Sequence, residues 1–569
     1  MTKQNRSGLA RNLTHYGDPD FSVFLRKSFF SSMGFSREML NRKIVGIAYT
    51  GSGFNNCHRH FPELLDAVKR GVIANGALPL EFPTISLGEI FLNPTSMKYR
   101  NLMSMETEEM IKAQPMDAVV LMGGCDKTIP AQLMGAVSAN LPAVQLVGGP
   151  MMTSKYKGER LGACTDCRRF WAEYRSDSIT ERDILEVESK LATTAGTCAV
   201  MGTASTMACV AETLGFAIPG SAAIPAVHAD RLRAAELTGN LAAELTNNPI
   251  FPRELVTVQS IENAFRVILA LGGSTNAIIH LTAIAGRAGV RIPTGKLNEL
   301  SGSTPVLVNL KPVGEHYMED FNYAGGMGAV LRELKPLLHL DCLTITGETL
   351  GSRLKEDGGY VDRSVIASSD EPIDQKGGLV TLFGSLAPKG AILKRSAATP
   401  ELFECIGKAV VFESLEDLSN RIDDPDLDVE PEDFLVLQNA GPASPSGMPE
   451  AGYLPLPKKL LAHGIRDMVR ISDARMSGSA FGTVILHVTP EAAIGGSLAL
   501  VKNGDMIKLS VSEKKLDLLV SEEEIQERAR QFESQKQETG VSRGYEQLYQ
   551  EQILQADQGC DFEFLLPKE

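Results

Sequence analysis

Apolar residues come in two textures along the chain, and the change from one to the other divides it. From Lys43 the run KIVGIAYTGSG is short, β-rich and closed by glycines. The segment after it, FPELLDAVKRGVIANG, has the spacing of an amphipathic helix. A strand, a loop and a helix are predicted there. The unit recurs as MDAVVLMGGCDKTIPAQLMGAVSA and, in shorter form, as LPAVQLVGGP. Strands alternating with helices predict an α/β fold, a parallel sheet with helices on both faces, whose site lies in loops at the carboxyl ends of the strands.

After about Lys376 the runs shorten and glycines punctuate them: GGLVTLFGSLAP, AVVFES, DFLVLQNAG, DMVRISDARMSG and TVILHVTP. These predict a second, β-rich and barrel-like domain. The join near EPIDQKGG gives an α/β domain over 1–376 and a β-rich C-terminal domain over 377–569. The most apolar long segment, Val267 to Val290, is broken by Ser274, Thr275, Asn276 and His280, which suits a buried helix–loop and not a membrane span. Near the end, Ser521 and Glu524 form a capping box ahead of a polar, charge-patterned helix.

Composition agrees with two packed domains, because 569 residues exceed one ordinary core. The formal net charge of −14 argues against a nucleic-acid partner, which needs clustered Lys and Arg. The N-terminal MTKQNRSGLARNL has basic residues but no apolar stretch behind them and does not read as a secretory signal. A cytoplasmic protein with a small-molecule substrate, and neither a nucleic-acid nor a membrane partner, is expected. Nine irregularly spaced cysteines read as thiols of a reducing compartment, not as a disulfide framework.

Three of these cysteines lie in glycine-containing loops: Cys57 in TGSGFNNCHRH, Cys125 in MGGCDKTIPA and Cys198 in AGTCAVMGTASTM. Taken singly, each reads as a small buried apolar residue. Together, three thiolates from separate loops suit an iron–sulfur cluster with one iron left open. Context favours the second reading. CDKTIPAQLMGA, LGGSTNAIIHL at Leu271 to Leu281 and ISDARMSGSAFG at Ile471 to Gly482 resemble signature segments of the iron–sulfur dihydroxy-acid and sugar-acid dehydratases, and the resemblance covers most of the chain. SLGE at Ser86 to Glu89, GMPE at Gly447 to Glu450 and the MGTASTM stretch are similar to the arabinonate and xylonate branch.

That resemblance implies dehydration of a 2,3-dihydroxy carboxylate, a sugar acid such as arabinonate or xylonate, to a 2-keto-3-deoxy acid. A dehydratase of branched dihydroxy acids, or one of broad substrate range, is the nearest alternative. It implies Cys57, Cys125 and Cys198 as cluster ligands. Three cysteines fit either [2Fe–2S] or [4Fe–4S], and the sugar-acid branch implies the former. Asp126 stands beside Cys125, and with Glu89 and Glu450 it would make an oxygen-rich site suited to Mg²⁺. The family pattern assigns these positions to Mg²⁺ together with a lysine matching Lys127, commonly carbamylated. Ser477 is implied as the general base, acting as an alkoxide that nearby metal must stabilise. A turn serine is the plain reading of the same residue. Ser479 is expected to contact substrate. His58 and His60 flank Cys57 and either line the pocket or satisfy local hydrogen bonds.

Three other features carry less. GSGFNN lacks the third glycine of a dinucleotide loop, Asn56 standing in its place, and there is no P-loop. Cys164 and Cys167 form one CxxC without a partner pair and read as reduced and structural. Sugar-acid members often continue past a CDFEFL-like segment with a histidine-bearing tail that enters a neighbouring subunit, whereas this chain stops at LLPKE, which leaves pentonate specificity open and allows a shorter or less selective substrate list. The family implies a homodimer or homotetramer. A non-catalytic cluster protein would have no use for Glu89, Asp126, Glu450 and Ser477.

Overall fold

A computed structural model describes residues 6–14, 16–354, 359–535 and 543–568. Four strands, β1 (Ile44–Tyr49), β2 (Leu78–Pro83), β3 (Ala118–Gly123) and β4 (Ala143–Val147), form an all-parallel sheet in the order β2-β1-β3-β4. The two central strands, IVGIAY and AVVLMG, are almost continuously apolar and buried, as strands covered on both faces must be. The edge strand β2 carries Pro79 and Pro83, residues a central strand would not tolerate. Helices Phe61–Ala74, Met97–Ala113 and Thr128–Ala139 follow β1, β2 and β3, so each strand feeds a loop and then a helix. A short hairpin of β5 (Ser154–Tyr156) and β6 (Glu159–Leu161) comes next, and from Thr165 to Arg353 the regular structure is helical. The apolar segment from Val267 forms helices Val258–Ala270 and Asn276–Arg287 around a turn at Gly272 to Thr275, as its interruptions predict.

The second sheet has eight strands: β7 (Val380–Leu382), β8 (Gly390–Leu393), β9 (Glu404–Phe412), β10 (Phe434–Leu437), β11 (Arg470–Ser472), β12 (Val484–Thr489), β13 (Met506–Ser510) and β14 (Lys515–Leu518). Their order is β14-β13-β9-β10-β11-β12-β8-β7, parallel from β9 to β12 and antiparallel toward both edges. A bridge between Phe383 and Lys515 links the two edges, so the sheet nearly closes into a barrel. Its strands bury apolar residues on two sides, Val411, Val436 and Ile471 in one cluster and Val410, Leu435 and Leu437 in another. Ser521 caps helix Glu522–Gln535 by accepting the Glu524 N–H at 3.3 Å.

The last residues return to the first half. Asp561 and Arg287, both fully buried, make a bidentate pair at 2.5 and 2.9 Å, and Arg100 donates to the carbonyls of Gly559 and Cys560 at 2.8 and 2.7 Å. The end of the chain is thereby bound to helices Met97–Ala113 and Asn276–Arg287.

Candidate active site

The loops that follow β1 and β3 meet through a histidine. His58 Nε2 accepts the N–H groups of Gly124 and Cys125 at 3.1 and 3.0 Å, which leaves the ring proton on Nδ1, 2.8 Å from the Thr50 carbonyl. Burial lowers its pKa to about 4, consistent with a neutral ring. A Cβ at Gly124 would come 3.0 Å from the imidazole, so any larger residue there would press on the ring. His58 therefore orients the Cys125 loop and, with both nitrogens engaged and only 1% of its surface exposed, is not placed to touch a substrate. Of the two readings of His58 from the sequence, these contacts are those of local hydrogen bonding. His60 likewise bonds a main-chain carbonyl, that of Gly148, at 2.8 Å.

Cys57 and Cys125 face one another. Their mutual hydrogen bond, reinforced by burial, pushes the Cys125 thiol well above its ordinary range, and that thiol also donates to Asp126 Oδ1 at 3.4 Å. Cys198 is not presented as a free thiol: the structure joins it to Cys164 in a disulfide, with Cα atoms 6.4 Å apart. The expectation of a reduced, structural Cys164 is corrected accordingly, while Cys167 remains free. Two loops separated by 34 residues cross at this point, a juxtaposition that no spacing rule exposes. Among the described residues, no three His, Cys, Asp or Glu side chains are already arranged around a common metal position.

The three carboxylates converge on two buried cations. Lys127, wholly buried, lies 2.5 Å from Asp126 and 3.5 Å from Glu89. Arg475, also wholly buried, lies 3.5 Å from Glu89 and 3.4 Å from Glu450, and donates to the Met448 carbonyl at 2.8 Å and to Thr95 at 2.9 Å. Glu89 accepts from Thr95 at 2.7 Å and from Ser96 at the start of helix Met97–Ala113. Burial opposes its ionisation, but Lys127, Arg475 and the two hydroxyls outweigh that and hold it at about 2. Glu450 is shifted the other way, by burial and then by the nearby negative charge of Glu89. Carboxylates with opposite shifts on one pair of cations form a charge-dense, oxygen-rich pocket, the donor chemistry that hard divalent cations take.

Ser477 occupies the loop after β11, its hydroxyl 2.7 Å from that of Ser479. The loop is held by its carbonyls: Met476 accepts from Asn276 at 3.0 Å, Gly478 from Lys394 at 3.3 Å and Ser479 from Thr165 at 3.0 Å. Asn276 also faces Glu450 at 3.4 Å and so ties the serine loop to the carboxylates. Gly478 presses on helix Thr203–Thr213, where a Cβ would stand 2.6 Å from the Thr203 nitrogen. That helix begins five residues after Cys198. A cavity of about 620 Å³ opens beside this loop, lined by Phe481, Tyr453, Arg168 and Trp171 among others.

Sequence reasoning missed Arg475, Asn276 and Lys394. The first two lie inside the segments quoted for the resemblance, where nothing separates a buried charge from its neighbours. Lys394 follows the apolar strand AIL and reads as a solvated strand end.

Residues 42–353 match the model of the dihydroxy-acid/6-phosphogluconate dehydratase N-terminal region, and residues 364–560 match its C-terminal counterpart. The chain is 44% identical to an L-arabonate dehydratase of Azospirillum brasilense, covering 98% of this chain and 97% of the relative. It is 43% identical to an L-arabinonate dehydratase of Rhizobium leguminosarum bv. trifolii (98% and 96% covered) and 42% identical to a 6-deoxy-6-sulfo-D-gluconate dehydratase of Pseudomonas putida (95% and 94%). Similarity to dihydroxy-acid dehydratases is lower, at 36–38%.

Proposed function

The chain belongs to the dihydroxy-acid/6-phosphogluconate dehydratase family, and on that premise we propose that it is a sugar-acid hydro-lyase, taking water from a 2,3-dihydroxy carboxylate such as arabinonate or xylonate and releasing the 2-keto-3-deoxy acid. The names of its nearer relatives support a sugar acid over a branched dihydroxy acid. One observation carries the reading: Glu89, Asp126 and Glu450, from three distant segments, gather on Lys127 and Arg475 beside the Ser477 loop.

The oxygen donors fit Mg²⁺, and Glu89, Asp126 and Glu450 would hold it, with Lys127 a further ligand if carbamylated. Cys57 and Cys125, already in contact, fit two ligands of a [2Fe–2S] cluster, the alternative being [4Fe–4S]. Cys198 completes that set only as a thiolate, so the assignment requires its bond to Cys164 to be reduced. When bound, the two centres supply Lewis acidity toward the carboxylate and hydroxyl oxygens of the substrate.

The chain's own side chains do the rest. Ser477 Oγ takes the C2 proton, and the Ser479 hydroxyl, 2.7 Å away, fixes its direction. Lys127 and Arg475 stand against the three clustered carboxylates and hold Glu89 ionised against burial. Loss of the C3 hydroxyl leaves an enol, which tautomerises to the 2-keto acid. A cytoplasmic homodimer or homotetramer belongs to the same proposal. Among the described residues, no helix is long and apolar enough to cross a membrane.

The test is 2-keto-acid formation by anaerobically purified enzyme from a panel of pentonates, hexonates and 2,3-dihydroxy-3-methylbutanoate. Sugar acids should lead by at least about tenfold in kcat/KM, the low end of what a binding site discriminates between close substrates. A preference for the branched acid would install the dihydroxy-acid dehydratase reading instead, and no 2-keto acid from any substrate would overturn both.

A further inference from the structure

Lys394 immediately follows β8 and is among the largest fully buried side chains of the protein, with no exposed surface. Its ammonium nitrogen has one hydrogen-bond partner among the described residues, the Gly478 carbonyl at 3.3 Å, and it makes no ion pair there. Among the described residues no carboxylate, imidazole or second cation acts on it, and burial governs its charge. A lysine enclosed without a counter-ion is costly as an ammonium and far less so as an amine. Simple anchoring of a carbonyl does not demand such a residue: the neighbouring carbonyls of Met476 and Ser479 are held by the neutral side chains of Asn276 and Thr165.

The serine loop sets a matching problem. For Ser477 to work as a base its hydroxyl must first lose a proton, and the carboxylates nearby are committed to Lys127 and Arg475. The peptide between Ser477 and Ser479 is clamped from two sides, by Lys394 at its carbonyl and by helix Thr203–Thr213 at its Cα. The clamp holds the Ser477 hydroxyl against that of Ser479, 2.7 Å away, with the Lys394 amine on the carbonyl of the next residue.

We propose that Lys394 is a positioning residue acting through Ser477: it fixes the loop by the Gly478 carbonyl and, as a neutral amine, takes up the proton that Ser477 gives up. The inference rests on Ser477 being the base. The proton leaves Ser477 Oγ for the lone pair of Lys394 Nζ, giving an alkoxide and an ammonium with no net change of charge. The alkoxide takes the C2 proton and becomes a hydroxyl again. The hydroxide leaving C3 takes that hydroxyl proton and departs as water, and the ammonium returns its own proton to Ser477, which restores both the serine hydroxyl and the neutral amine. Burial lowers the Lys394 pKa to about 7, so the amine is available at neutral pH and lost in mild acid.

The experiment measures kcat, KM and the pH dependence of kcat/KM for the wild type, Lys394→Met, Lys394→Arg and Ser477→Ala, with cluster absorbance as a check on the fold. The wild type should show an acid limb with a midpoint near 7. In Lys394→Met that limb should vanish, with kcat lower by about 10²-fold and KM within about threefold, the scale of losing a positioned proton acceptor. Lys394→Arg keeps a donor for Gly478 but accepts no proton, so it should not restore the limb. A wild type without a limb between about pH 6 and 8 would overturn the proposal whether or not the variants fold. So would a limb that survives in either Lys394 variant. Full turnover by Ser477→Ala removes the base assignment and this inference together. An inactive Ser477→Ala beside a normal Lys394→Met removes only the role of Lys394.

Discussion

Arg475→Met tests whether the carboxylates form one electrostatic unit. Arg475 is completely buried, touches Glu89 and Glu450 at 3.5 and 3.4 Å, and donates two shorter hydrogen bonds, to Met448 and Thr95. Methionine nearly fills the vacated volume, so the loss is electrostatic rather than a cavity. A unit pair at this range is worth about 4 kcal/mol at the effective dielectric of a protein, largely offset by the desolvation already incurred. Removing one partner leaves that desolvation uncompensated, and the expected loss is about 3–5 kcal/mol. Urea unfolding in chelator at pH 7.5 should report it as a lower midpoint with an unchanged slope. Mg²⁺ should recover part of it, about 2.7 kcal/mol at a hundredfold excess over Kd, because the cation replaces the missing positive charge. The sign with pH follows from Glu89, whose folded pKa of about 2 lies below its ordinary 4.5. Its stabilising contribution is present above 4.5 and disappears as pH falls toward 2. Arg475 supplies part of that depression, so wild type and variant should differ most near neutrality and converge below pH 4.5. A difference under about 1 kcal/mol at pH 7.5, or one indifferent to both Mg²⁺ and acid, would refute the coupling.

Ser477→Ala should keep cluster absorbance and substrate binding while kcat falls by about 10²-fold or more, and solvent exchange of the substrate's C2 hydrogen should fall with it. Cys57→Ser, Cys125→Ser and Cys198→Ser should each lose cluster absorbance and activity together, whereas Cys164→Ser, which leaves Cys198 a free thiol, should keep both. A Cys198→Ser protein with intact absorbance would mean that the ligand set is wrong. Glu450→Gln should retain the absorbance but lose most Mg²⁺-dependent turnover, and full turnover in metal-free buffer would refute the Mg²⁺ assignment. Glu491, buried and next to Asp473, has its pKa raised to about 8, so the folded state holds a proton that the unfolded state releases above about 4.5. Stability should therefore decline between pH 4.5 and 8, and Glu491→Gln should flatten that decline in urea melts.

The alternation of apolar runs with glycine loops and amphipathic segments was enough for the parallel sheet and for the β-rich second half, because strand and helix periodicities are local. The roles expected around Cys125, Glu450 and Ser477 came from the family resemblance of their segments and not from periodicity. What stayed hidden is what depends on contact between distant segments. His58 reads equally as a pocket residue or a locally bonded one until its ring is found beneath the Cys125 loop, accepting two main-chain N–H groups. Cys164 and Cys198 meet only because two loops cross. Arg475 and Lys394 look alike in sequence, each a cation beside a short apolar run. One is paired with two carboxylates, and the other is buried with a single carbonyl for company. Burial and charge pairing are properties of the three-dimensional neighbourhood, and those two properties decide whether a basic side chain stays a cation or becomes a proton acceptor.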